Sequence, residues 1–110
     1  MILEKIRKAI DNGISIEYTA HCQKRMAERG ITRQDIELSI NKGEIIEEYP
    51  LPQSNNSEKS LPAYLVLGTK VDNKTTIHVV IGYNEKRILI ISVCYPDKEH
   101  WFSDYKTRRK

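Results

Sequence analysis

The sequence predicts an α+β domain in which N-terminal helices pack on a four-stranded antiparallel sheet. In the first part of the chain, apolar residues recur at three- and four-residue steps, which is typical of amphipathic helices. From Glu44 onward, short segments rich in Ile, Val, Leu and Tyr replace that pattern, and the short later connections favour antiparallel neighbours. The chain has 110 residues and a mass of 12.8 kDa, so we expect a single domain over residues 1–110.

Composition and charge exclude several classes of protein. Apolar residues make up 39% of the chain and charged residues 30%, which fits a globular protein and excludes a disordered or fibrous one. No stretch approaches the roughly 18 apolar residues that cross a bilayer, and the N-terminus lacks an export signal, so we expect a cytoplasmic protein. The formal net charge of +3 resides in the basic tail, residues 104–110, so general coating of polyanions is not expected.

Three helices are predicted before Gly43. The first is indicated by apolar spacing from Ile2 to Ile10, and Asn12-Gly13 supplies its stop. The segment Ile14 to Tyr18 alternates, which predicts either a brief strand or an extended lead-in to the next helix. That second helix is bounded by Thr19 and Gly30, an N-cap and a left-handed terminator.

The third helix carries a complete set of start signals. Thr32 is its N-cap, Asp35 stands where a capping-box acid belongs, and Ile31 and Ile36 occupy the positions of a hydrophobic staple. Gly43 is expected to end the helix. Two helices joined by a glycine turn are more often a structural corner than a DNA-reading element.

Four strands in a meander are predicted after that corner, and the unbroken apolar run from Ile88 to Ile91 indicates a strand inside the sheet. A surface loop is expected from Pro50 to Pro62, and a closing helix is expected after Pro96-Asp97, up to about Arg108. The predicted strands are Glu44 to Tyr49, Ala63 to Thr69, Thr75 to Tyr83 and Arg87 to Tyr95.

Functional chemistry is most strongly indicated on the second helix. At about 100° per residue, His21, Arg25 and Arg29 fall within about 80° of one face, and Glu28 lies beside His21. Cleavage of a phosphodiester needs such groups, namely a proton-exchanging imidazole and cations that hold the phosphate. The same spacing also fits a solvated helix face with Glu28 paired to an arginine, so both interpretations stay open.

A second histidine of interest lies in a predicted strand. Alternation places His78 opposite Ile77 and Val79. On an open face it could act as an acid or base, whereas on a covered face it would be a core histidine with one hydrogen bond. The pairing register with the last strand decides which face His78 shares, and the sequence does not fix that register.

No metal or cofactor site is expected. The two cysteines, Cys22 and Cys94, are far apart and are expected to be reduced thiols. A zinc site combining them with His21 and His78 would lack any short chelating pair. No nucleotide-binding loop or serine-nucleophile motif occurs.

Several of these residues together resemble the bacterial family called domain of unknown function 4258, over most of the chain. Its most specific block here is Thr19-x-His21-x-x-x-Arg25-Met26-x-Glu28-Arg29-Gly30-Ile31. The remaining matching residues are Asp35-Ile36, Gly43 to Pro50, Leu67-Gly68, His78-Val79-Val80, Pro96-Asp97 and Trp101. That family is similar to small ribonuclease toxins of the RelE and MqsR kind, so the resemblance implies a toxin fold with helices on a curved antiparallel sheet. It also implies a cognate antitoxin, of the zinc-finger YgiT or MqsA type.

The resemblance marks His21, Arg25, Glu28, Arg29 and His78 as site residues. The implied activity is metal-independent cleavage of RNA, in which one imidazole, assigned to His78, takes the ribose 2′-OH proton while Arg25 and Arg29 hold the phosphate. His21 would donate a proton to the leaving oxygen, and the two histidines could exchange roles. Substrate contacts are also predicted for three residues of the tail, Lys106, Arg108 and Arg109, although a frayed end fits that tail equally.

Two features of the sequence depart from the family pattern. The loop from Leu51 to Leu61 is longer and less acidic than usual, and Cys94 stands where the family often has tyrosine. Tyr95 could supply the missing hydroxyl only if the strand twists, because adjacent strand residues face opposite sides.

A non-catalytic binding module with the same fold is the alternative to a ribonuclease, and it would dock a partner protein or a nucleic acid. An enzyme requires His21, Arg25, Arg29 and His78 to converge on one water-accessible pocket. A binding module can leave the same groups scattered or engaged in ion pairs. We expect convergence, across a hollow wide enough for one phosphate.

Overall fold

The computed structural model describes residues 2–49, 62–84, 86–97 and 101. Within these residues, three helices and five strands form one mixed α+β unit, which confirms the predicted class. The helices are α1 (Ile2–Asp11), α2 (Ala20–Arg29) and α3 (Arg33–Lys42). The strands are β1 (Ile16–Tyr18), β2 (Glu44–Tyr49), β3 (Ala63–Thr69), β4 (Thr76–Asn84) and β5 (Arg87–Cys94).

The sheet has the strand order β1-β5-β4-β3-β2. Strands β2 to β5 form the predicted antiparallel meander. The prediction of four strands is wrong, because β1 adds a fifth strand that pairs parallel to β5, with Ile16 opposite Ile88 and Tyr18 opposite Ile90. A three-residue strand has almost no periodic signal of its own, and its partner lies about seventy residues further along the chain.

The predicted helix boundaries are confirmed by their caps. The Thr19 hydroxyl accepts a hydrogen bond from the Cys22 amide at 2.9 Å, and Gly30 ends α2 with φ at 65°. Thr32 and Asp35 form the reciprocal capping box of α3. These two caps set the corner between α2 and α3.

The helices cover one face of the sheet. Apolar side chains of α1 and α3 join one buried cluster with alternate residues of the central strands. Its fully buried members include Leu3, Ile6, Ile36, Val66, Ile77, Val79, Ile81, Ile88, Ile90 and Val93. Because alternation puts Ile77 and Val79 on this helix-covered face, His78 between them points to the opposite face of the sheet.

Several predictions fall on residues outside those described. They are the loop from Pro50 to Pro62, apart from Pro62 itself, and the closing helix, of which Trp101 alone is described beyond Asp97. The tail contacts predicted for Lys106, Arg108 and Arg109 also lie outside the described residues. Among the helices of the described ranges, none combines the length and the apolar character needed to span a membrane.

Candidate functional site

Helix α2 lies along the edge of β5. Strand β1 pairs with β5 only through residues 88–90, and beyond them Thr19 and α2 lie beside the same edge of β5. The Thr19 amide donates to the Ile90 carbonyl at 3.1 Å, and its hydroxyl donates to the Ile91 carbonyl at 2.9 Å. At the other end of α2, Arg29 Nη1 donates to the Val93 carbonyl at 3.1 Å. Arg29 therefore has a structural contact in addition to any role in phosphate binding.

The exposed flank of α2 carries the predicted site residues that precede Arg29. His21 and Glu28 are exposed, and Arg25 is half-buried. Arg25 Nη1 lies 3.0 Å from Glu28 Oε1, with the two side chains 38% and 44% exposed. An ion pair this exposed stabilises a protein by at most about 1 kcal/mol, so an incoming phosphate could displace the carboxylate.

The second predicted histidine is covered. His78 is 2% exposed, and its ring meets Trp101 edge to face with the ring centroids 4.5 Å apart. The expected convergence of His78 with His21, Arg25 and Arg29 on one water-accessible pocket is wrong, because His78 is covered and its side chain points to the sheet face opposite the buried cluster that Cys22 of α2 joins. Only the covered alternative for His78 agrees with this geometry.

Cys94 is related to both parts of the predicted site, namely His78 on β4 and Arg29 on α2. It is the cross-strand partner of His78 in the register of β4 and β5, so the two side chains share a face. Burial raises the pKa of the Cys94 thiol, the guanidinium of Arg29 acts in the opposite direction, and Asp97 raises it further. A half-buried thiol with a raised pKa stays protonated near neutral pH, which argues against a cysteine nucleophile.

Two further residues, which sequence reasoning did not assign to the site, hold the C-terminal end of α2. The Tyr95 hydroxyl donates to the Arg29 carbonyl at 2.5 Å, and Lys70 Nζ donates to the Gly30 carbonyl at 2.9 Å. Lys70 Nζ also lies 3.3 Å from the Tyr95 hydroxyl, an interaction that raises the pKa of Lys70. Strand β5 ends at Cys94, so the alternation of strand faces does not fix the direction of the Tyr95 side chain. Tyr95 therefore reaches the end of α2 without the strand twist that the sequence led us to expect.

The only advance signal for this cluster is the left-handed cap of α2. A helix that ends at glycine leaves its last carbonyls in need of donors, but the sequence does not show which distant residues supply them. Here the donors come from the turn after β3 and from the segment after β5.

The four residues weighed for zinc, His21, Cys22, His78 and Cys94, do not form one cluster. Cys22 is buried under α2, where burial raises the pKa of its thiol to about 11, whereas His78 lies across the sheet. In the part of the chain that the structure describes, no three His, Cys, Asp or Glu side chains are grouped as metal ligands.

Comparison with known proteins identifies one family. The model of the family described as "Domain of unknown function (DUF4258)" matches residues 18–95, which is more than half of the chain. The matched region runs from the end of β1 through α2 and the meander to Tyr95. No match is found among curated proteins or among solved structures.

Proposed function

We propose that this protein, which belongs to the DUF4258 family, is a toxin-like module that binds single-stranded RNA through the exposed surface of α2. The observation that supports the proposal is the exposed flank of α2, where Lys24 and His21 are exposed and Arg25 is half-buried. Glu28 is the only acidic residue of that helix. The flank therefore offers local positive charge, although residues 1–103 as a whole are formally neutral.

The cations of α2 suit phosphate. A guanidinium group binds phosphate oxygens through two parallel hydrogen bonds, and Arg25 can do so once Glu28 is displaced. Arg29 uses Nη1 for the Val93 carbonyl, and a guanidinium has further N–H donors that remain for a ligand. Single strands suit a short helix flank because their phosphates can adapt to its spacing.

Binding agrees better with the geometry than the two-histidine mechanism does. A cleaving site with His21 and His78 requires both imidazoles within reach of one phosphodiester. His21 is exposed on α2, whereas His78 is buried beneath Trp101 on the other side of the sheet. Scattered or ion-paired groups are the arrangement expected of the non-catalytic alternative.

RNA binding is testable by fluorescence anisotropy with a labelled single-stranded RNA over a range of salt concentrations. The double variant Lys24→Ala with Arg25→Ala is expected to weaken binding and to lower the log–log salt slope by about 0.7 for each phosphate that the variant no longer neutralises. Its matched control is Lys5→Ala with Lys8→Ala, which removes the same charge from exposed positions of α1. Equal binding by the two double variants would show that α2 is not the RNA surface.

Endoribonuclease activity is a second candidate, favoured by the contact between Lys70 and the Tyr95 hydroxyl beside the end of α2. In such a reaction the ribose 2′ oxygen bonds to phosphorus, and the bond from phosphorus to the 5′ oxygen breaks. Arg29 would hold the phosphate, and Tyr95 would hand its proton to the leaving 5′ oxygen while a base takes the 2′-OH proton. The predicted roles of His21 and His78 in this step stay a prediction.

Cleavage is tested by following RNA integrity with the metal chelator EDTA present. An active enzyme yields 2′,3′-cyclic phosphate and 5′-OH ends, and Tyr95→Phe is expected to lose cleavage while retaining binding. RNA that stays intact with excess wild-type protein would refute the endoribonuclease candidate and leave the binding proposal standing.

A partner antitoxin of the zinc-finger kind is also proposed. Its reading frame should adjoin or overlap the one that encodes this protein.

A further inference from the structure

A cleft opens at the end of the sheet where β3 ends and β2 begins. Its volume is about 380 Å³, and it lies between the last turn of α3 and the turn that joins β3 to β4. The residues that line it are Leu38, Lys42, Gly43, Glu44, Leu67, Gly68, Thr69, Asn73 and Thr76. None of them belongs to the predicted site on α2.

Two glycines shape the wall of this cleft. A Cβ on Gly68 would lie 2.0 Å from Ser39 Oγ, and a Cβ on Gly43 would lie 2.4 Å from the Ser39 carbonyl oxygen. Both positions therefore let α3 approach the sheet directly at Ser39. Lys42, Glu44 and the neighbouring polar side chains then border the space beside that contact.

The chemistry of the lining fits one nucleoside unit of RNA, and we propose that the cleft binds a nucleobase with its ribose. Asn73 offers an amide donor and acceptor, and the hydroxyls of Thr69 and Thr76 offer two more such groups. These groups suit the polar edge of a base or a ribose hydroxyl, while Leu38 and Leu67 supply apolar surface. A nucleoside is within the size range of ligands for such a cleft.

The turn after β3 connects the cleft to the α2 surface. Lys70, at one end of this turn, donates to the Gly30 carbonyl, and Asn73 lines the cleft. Asp72 fixes the turn, since its Oδ1 accepts from the Lys74 and Thr75 amides at 2.8 and 2.9 Å. These hydrogen bonds lower the pKa of Asp72 to about 2, so its carboxylate is ionised and can accept them at neutral pH.

An RNA strand could thus place phosphates on α2 and one base in the cleft. In this respect the inference rests on the proposed RNA binding. Base recognition in the cleft, however, can be measured without any RNA strand.

The test is a titration of the full chain with each of the four ribonucleoside monophosphates, followed by two-dimensional NMR. At least one of them is expected to shift amide signals clustered around Thr69, Asn73 and Thr76. The key variant is Asn73→Gly, because Asn73 has φ at 61° and glycine adopts that conformation without strain. It should raise the dissociation constant about three- to tenfold, the effect of one lost hydrogen bond.

Asn12→Gly is the matched control, since Asn12 is exposed at the end of α1, and it should bind as the wild type does. A second variant, Thr76→Val, removes a hydroxyl while keeping the branched shape suited to a strand. The inference is overturned if no monophosphate binds, if inorganic phosphate alone causes the same shifts, or if both Asn73→Gly and Thr76→Val bind the monophosphate as tightly as the wild type does.

The two proposals fail in different ways. Nucleotide binding without RNA binding would support the cleft and refute the RNA-binding function. RNA binding without nucleotide binding would refute the cleft and leave that function standing. If both hold, Lys24→Ala with Arg25→Ala should weaken RNA binding and leave monophosphate binding unchanged.

Discussion

Replacing Asp35 by asparagine tests how the corner of α2 and α3 is joined to the turn after β3. Asp35 is 1% exposed, and each of its carboxylate oxygens accepts a backbone hydrogen bond. Oδ2 accepts from the Thr32 amide at 2.8 Å, and Oδ1 accepts from the Val71 amide at 2.9 Å. One carboxylate thus caps α3 and also holds the turn that carries Lys70 and Asn73.

An asparagine has only one acceptor oxygen, so Asp35→Asn leaves one of these amides facing an NH₂ group. A hydrogen bond to a charged group contributes about 1.5–3 kcal/mol, and that contribution is lost. We therefore expect the free energy of unfolding to fall by about 2 kcal/mol near neutral pH.

The pH dependence provides a second readout. Burial raises the pKa of Asp35, but hydrogen bonds from Thr32 and Val71 and the charge of Lys70 outweigh it, so the native pKa lies below the ordinary value. A lowered native pKa means that the carboxylate stabilises the fold above the unfolded-state pKa, and that this is lost as pH falls through the native pKa. The difference between wild type and Asp35→Asn should therefore shrink below about pH 4.

Urea unfolding at neutral and acidic pH, followed by far-ultraviolet circular dichroism, measures both effects. Asp11→Asn is the control, because Asp11 is exposed at the end of α1. A loss for Asp35→Asn below about 0.5 kcal/mol, the scatter of ordinary surface substitutions, would refute the reasoning. So would a gap that stays constant from neutral to acidic pH.

Two other predictions concern packing and thiol reactivity. Gly68→Ala should lower the free energy of unfolding by about 1–3 kcal/mol in urea titrations, because its Cβ would lie 2.0 Å from Ser39 Oγ. Adding Ser39→Gly should recover part of that loss, and strictly additive effects would contradict the proposed clash. In iodoacetamide labelling read by mass spectrometry, Cys94 should react more slowly than a free thiol, and Cys22, with its pKa near 11, more slowly still. Labelling of Cys22 in the native protein at the rate of a free thiol would contradict its burial.

Local chemistry accounts for the elements that the sequence predicted well. Thr19, Gly30, Thr32 and Asp35 act on amides and carbonyls within a few residues, so the chain around them is enough to place both helices. The strand bounds were likewise close, because β-rich segments alternate with turn residues. The predicted third and fourth strands shift by only one residue at their ends.

Long-range pairing accounts for what the sequence missed. The parallel pairing of β1 with β5 depends on contacts between segments about seventy residues apart. The register of β4 and β5 changes between Val80 and Ile81, which pair with Ser92 and Ile90, so Ile91 is passed over. On the two sides of such a bulge, odd- and even-numbered residues of β5 exchange faces relative to those of β4. Which residues of β5 lie beside His78 therefore depends on where the bulge occurs.

The same geometry decides which substitutions can report on function. Arg29→Ala would leave the Val93 carbonyl without its donor and loosen α2 from the edge of β5, so lost activity in that variant would not establish a phosphate contact. Arg25 instead contacts the exposed carboxylate of Glu28, and removing that contact costs the fold little. A functional defect in Arg25→Ala with unchanged stability therefore points to the ligand itself, and Arg25 rather than Arg29 is the informative residue on this helix.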